Sequence, residues 1–72
     1  MIDLTKWKVG QTYSYDYIEH YIDDEDNTSL TYGEYLIGQE FIVLIDEHNN
    51  ILSFVLHSHT GLGAHYKLIW KG

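Results

Sequence analysis

Gln39 to His59 reads QEFIVLIDEHNNILSFVLHSH, and the way this stretch doubles back decides the fold. Phe41 to Ile45 are consecutively apolar and flanked by acids, as expected of a central strand covered on both faces. In the EHNN that follows, Asn49 and Asn50 tolerate positive φ, which places a turn at His48-Asn49 or at Asn49-Asn50. Ile51 to His59 then returns as the antiparallel partner.

The returning strand predicts its next neighbour. Leu52, Phe54 and Leu56 share one face, as do Tyr66, Leu68 and Trp70 in a final strand. Opposed residues lie on the same side of a sheet, so pairing Leu56 with Leu68 and Phe54 with Trp70 requires an odd loop from Thr60 to Ala64, which its two glycines suit. The same register sets His57 opposite Lys67 and His59 opposite His65 on the other face. Either turn of the first hairpin adds Glu40 to that face, opposite His57 or His59.

Upstream, Gln11 to Ile22 (QTYSYDYIEHYI) alternates Tyr13, Tyr15 and Tyr17 with Thr12, Ser14 and Asp16, the period-2 pattern of a half-buried strand. Ile18 and Ile22 break the parity, which predicts a bulge near Tyr17 to Glu19. Asp23 to Ser29 (DDEDNTS) reads as a solvated loop, and Leu30 to Ile37 (LTYGEYLI) as a strand interrupted by Gly33, in preference to the alternative of one short helical turn capped by Ser29. The order is strand after strand with no convincing helix. It predicts one all-β domain over residues 1–72: a small antiparallel sheet, or a partly open SH3-like barrel, of four to five strands joined by hairpins.

Composition bounds the function. Seventy-two residues supply a thin core, and the absence of cysteine excludes disulfides and thiolate metal sites. The longest apolar runs fall far short of the roughly 20 residues of a membrane span, and the N-terminus has no signal pattern, so a soluble, cytoplasmic protein is expected. Eleven acids face four lysines and no arginine. Every lysine lies outside Val9 to Tyr66, a stretch that holds ten of the carboxylates. Such a body repels nucleic-acid phosphates and anionic membranes and attracts basic protein surfaces.

Two groups of residues are candidates for a site. Asp16, Glu19, Asp23, Asp24, Glu25 and Asp26, interleaved with Tyr15, Tyr17 and Tyr21, form a candidate face for docking on lysines and arginines of a partner. The competing reading is that a domain this small needs several tyrosines for its core. The second group is His57, His59, His65 and Lys67, a candidate anion site assisted by amides of the Thr60 to Ala64 loop. His-x-His places two imidazoles about 7 Å apart on one strand face, but the group has no zinc-site signature and the acidic run has no calcium-loop spacing, so no metal or other cofactor is expected.

Catalysis has no support: no cysteine nucleophile, no Gly-x-Ser-x-Gly, no phosphate loop, and Ser58 points away from its neighbouring histidines on a strand. The expectation is a non-catalytic protein that occludes a basic surface of another protein, including the nucleic-acid site of an enzyme. Small size, acidity and lack of motifs also suit the inhibitors that phages deploy against bacterial defence systems, such as anti-CRISPR proteins, by analogy of type alone. The alternatives are an oligomer that holds an anionic nucleotide at the histidine group, and an assembly subunit pairing its strand edges in a homo-oligomer.

Overall fold

The computed structural model describes residues 1–24 and 39–72. These residues form mostly sheet: β1 (Thr12–Ser14), β2 (Phe41–Ile45), β3 (Ile51–Thr60) and β4 (Gly63–Lys71), with one short helix, α1 (Tyr15–Asp23), and a 3-10 turn at Leu4–Lys6. The four strands are antiparallel neighbours in the order β1-β4-β3-β2, and the sheet is not closed into a barrel. A small antiparallel sheet therefore forms as expected. The predicted strand over Leu30 to Ile37 lies outside the described residues.

The strand expected over Gln11 to Ile22 is corrected. Only Thr12 to Ser14 extend, pairing with β4, and Tyr15 onward is helical. Ser14 is the switch: its backbone stays extended while its side chain accepts the Tyr17 N–H at 3.1 Å, a helix N-cap. Asp16 in the first turn complements the positive end of the helix dipole. Tyr15, Ile18 and Ile22 recur at helical spacing, and Ile18 is fully buried beneath the helix. The parity break read as a bulge is the helix itself. Asp23 closes α1 and Asp24 caps it, so neither belongs to a loop beginning at Asp23.

The β2–β3 hairpin forms in a different register from either turn expected. Ile45 pairs with Ile51 and Phe41 with Val55, leaving Glu47 to Asn49 at the tip with Asn49 at φ 61. A turn whose last residue adopts the left-handed conformation suits asparagine. β2 is also not central: among the described residues it pairs with β3 alone, and its burial alternates, with Ile42 and Leu44 inside. The consecutive apolar run thus reflects two faces of different kinds rather than two covered faces.

The β3–β4 hairpin turns at Gly61 and Leu62, replacing the five-residue loop expected. Thr60 pairs with Gly63, whose φ of +110 only glycine adopts without strain, and the Thr60 hydroxyl accepts the Leu62 N–H. The register shifts at two places: His57 is an extra residue of β3 between Leu56 and Ser58, and Ile69 an extra residue of β4 between Leu68 and Trp70. Between these bulges Phe54 faces Leu68 and Leu56 faces Tyr66, while Trp70 moves to the outer face opposite Ser53.

One face of the sheet carries the core. Ile42, Leu44, Leu52, Phe54, Tyr66 and Leu68 are covered by α1 and by the N-terminal segment, which contributes Ile2 and Trp7. Trp7 meets Tyr13 at 4.8 Å, Tyr21 edge-on at 4.9 Å and Phe54 at 5.5 Å between ring centroids. Two clips fix the N-terminal segment over the sheet. Lys71 Nζ donates to the carbonyls of Leu4 and Trp7 at 3.1 and 2.8 Å, and Asp46 Oδ2 accepts the Ile2 N–H at 2.7 Å.

Candidate functional site

Helix α1 carries six of the nine candidate docking residues, and Tyr15 and Tyr21 of these pack against the core. On a helix, Asp16, Glu19 and Asp23 fall at i, i+3 and i+7, so their carboxylates share one stripe. A strand would have put Asp16 and Glu19 on opposite faces, so the helix improves on the sequence expectation. Tyr17 lies on another flank of the helix, 49% exposed, its ring held against Tyr13 and Trp7 at 5.6 Å each. His20 lies beside the stripe, its Nδ1 2.8 Å from the Asp16 carbonyl. Asp24 is exposed just past the helix end. Glu25 and Asp26 lie outside the described residues.

The tyrosines divide between core and surface. Tyr15 and Tyr21 pack against the core, and the Tyr21 hydroxyl accepts the Asp3 N–H at 2.9 Å. Partial burial, followed by the nearby Glu19 carboxylate, holds the Tyr15 phenol above its usual range. Tyr17 alone of the three predicted contact tyrosines is mainly exposed.

The predicted cluster of His57, His59, His65 and Lys67 does not assemble as registered. His59 pairs with Ala64, and His65 with Ser58 and Ser14, so successive strand residues direct the two imidazoles to opposite faces. Lys67 lies beside Val55 and Thr12 on the side of His65. His57 occupies the bulge with no opposed residue, and Glu40 sits at Leu56, whose N–H it accepts at 2.7 Å. The cause is the short turn and the bulge: each shifts pairing by one residue, and one residue exchanges faces. Among the described residues no three of His, Asp and Glu come together in a metal-binding arrangement.

His59 instead borders a cleft of about 400 Å³ between the start of α1 and the hairpin tip, with Tyr15, Asp16, Leu62 and Tyr66 among its walls. A second cleft, of about 560 Å³, opens where the N-terminal segment meets β1, and three of the four lysines line it. Sequence reading missed this gathering because Lys6 and Lys8 are separated from Lys71 by nearly the whole chain. The signal was present only as the exclusion of lysine from Val9 to Tyr66.

The outer face of the sheet is mainly apolar along β2 and the adjoining part of β3. Phe41, Val43 and Ile45 of β2 stand beside Val55, Ser53 and Ile51 of β3, with Trp70 next to Ser53. Phe41 and Trp70 are 53% and 52% exposed. No carboxylate occurs among these paired residues.

Asp46 is the buried carboxylate, 3% exposed. Burial alone would raise its pKa. Hydrogen bonds from the Ile2 and His48 amides, the Asn50 amide and the Asn50 side chain outweigh that and hold it at about 2. Its role is structural, tying the β2–β3 turn to the N-terminal segment.

No helix among the described residues is long and apolar enough to cross a membrane. No family model matches the sequence, and no curated protein and no solved structure matches it.

Proposed function

We propose that the protein is a non-catalytic binding protein that lays the acidic arc of α1 on a basic surface of a partner protein. The observation that carries this reading is the stripe of Asp16, Glu19 and Asp23 along one side of α1. Carboxylates aligned in this way suit a surface rich in lysine and arginine, where charge steers encounter. Surfaces that bind nucleic-acid phosphate have this chemistry, so occlusion of such a site on an enzyme, including a bacterial defence enzyme, is the most specific form of the proposal.

The test is affinity capture from a bacterial lysate with quantitative mass spectrometry, comparing the native chain with Asp16→Asn/Glu19→Gln/Asp23→Asn. A basic protein should be enriched by the native chain and lost with the triple variant, whose folding is checked by circular dichroism because Glu19 is half-buried beside Tyr15. His57→Ala/His59→Ala/His65→Ala should retain it. Equal capture by the acid-neutralised variant overturns the reading.

A second reading is self-assembly, favoured by the apolar outer face with β2 at its edge among the described residues. A second copy suits this face because no carboxylate lies among its paired residues to oppose association of two acidic chains.

A further inference from the structure

We infer that the cleft between the N-terminal segment and β1 is a binding site for a small phosphate monoester. It is distinct from the acidic docking stripe, being lined by Tyr17 on another flank of α1.

The cleft measures about 560 Å³, within the range of roughly 300–1,000 Å³ typical of small-ligand sites. Lys6, Lys8 and Lys71 line it. Thr12, another lining residue, stands opposite Lys67 in the β1–β4 ladder, with Lys67 itself outside the cleft lining. No carboxylate is among its described lining residues, in a protein with eleven. Like charges gathered in this way repel one another, and an anion between them relieves that cost.

The neutral groups in the cleft also offer donors. Trp7 is 1% exposed, and its indole Nε1 has no hydrogen-bond partner among the described residues. Buried donors are rarely left in this condition, although this one is closed to solvent, so an acceptor in the cleft would reach it only after the Trp7 ring shifts. The Tyr13 hydroxyl accepts the Lys8 N–H at 2.8 Å, which leaves its own proton to donate. Lys71 Nζ uses two of its three hydrogens on the Leu4 and Trp7 carbonyls and is thereby held in place with the third available.

Cations and donors with no carboxylate among the described lining residues select an anion rich in oxygen. A phosphate monoester presents three such oxygens and close to two negative charges at neutral pH. The net charge of the chain does not forbid it, because three lysines line the cleft and the screening length at physiological salt is about 8 Å; the Asp3 carboxylate, which accepts from Thr5, is the acid at its edge.

The test is an amide NMR titration of the ¹⁵N-labelled full chain at pH 7.5 with adenosine monophosphate, ribose 5-phosphate and adenosine. Both phosphates should produce saturable shifts of the Trp7 indole N–H and of the Lys6, Lys8 and Thr12 amides, with a dissociation constant below about 1 mM. Adenosine should produce none, and Lys6→Gln/Lys8→Gln, at two exposed positions, should weaken binding by at least about tenfold. The inference is overturned by shifts that do not saturate, by adenosine matching the phosphates, by unchanged affinity in the double variant, or by the Trp70 indole moving as far as that of Trp7.

Discussion

Asp46 Oδ2 accepts the backbone N–H of Ile2 at 2.7 Å, joining residues 44 apart in sequence through a buried contact. The same carboxylate takes the His48 and Asn50 amides on its other oxygen. One side chain therefore shapes the β2–β3 turn and anchors the N-terminal strap that carries Ile2 and Trp7 into the core.

Asp46→Asn should destabilise the fold by about 2 kcal/mol, since an amide NH₂ replaces an acceptor surrounded by donors. Acid should act through the same group. A carboxyl held at about 2 in the folded state, against an ordinary 3.8, contributes stability that is complete above about pH 4 and is lost as pH falls toward 2. The contribution is about 2 kcal/mol, and urea denaturation between pH 2 and 6 should show it in the native chain and not in Asp46→Asn.

Ser14→Ala removes the acceptor of the Tyr17 N–H and should cost about 1 kcal/mol in urea denaturation. Ser14→Asp should retain the cap and most of the stability. Equal stability of native chain and alanine variant would show that packing of Ile18 alone holds the helix.

Gly63→Ala forces a side chain into a left-handed conformation at φ +110, although no atom lies within 4 Å of the added carbon. The cost of about 1–2 kcal/mol is then backbone strain rather than collision. Gly61→Ala, at a glycine of ordinary φ with open space around it, should change stability by less than about 0.5 kcal/mol.

Self-association through the outer face should depend on Phe41 and Trp70. Sedimentation from micromolar to millimolar concentration should show a concentration-dependent dimer for the native chain and a monomer for Phe41→Lys. A native chain that stays monomeric throughout rejects the second reading.

The strand content, the antiparallel pairing and the inward set of Leu52, Phe54, Tyr66 and Leu68 were legible in the sequence because alternation survives a shift of two residues. The predicted pairing of Leu56 with Leu68 and the observed pairing with Tyr66 differ by such a shift, so the same side chains face inward. His59 and His65 were misplaced because the two-residue turn at Gly61 and Leu62 shifts their pairing by one, and His57 because no composition signal marks it as the extra residue. Helix α1 was missed because tyrosine alternation and the Tyr15, Ile18, Ile22 spacing coexist in twelve residues. The decisive group was the Ser14 hydroxyl, which either pattern accommodates. The lysine cleft depends on contacts between the two ends of the chain, which local periodicity does not encode.

The bulges at His57 and Ile69 lie on opposite strands, so their offsets cancel. At both ends of the β3–β4 ladder the pairs follow one register, with Leu52 opposite Lys71 and Thr60 opposite Gly63; only the middle is displaced. Had the tight turn dictated pairing throughout, Phe54 would face Ile69 and Leu56 would face Lys67, placing an ammonium under the helix. The turn and the core thus require incompatible alignments, and the two extra residues reconcile them. Removing either one alone leaves the hairpin out of step with itself, whereas removing both returns a continuous ladder in which the displaced middle again follows the register of its ends.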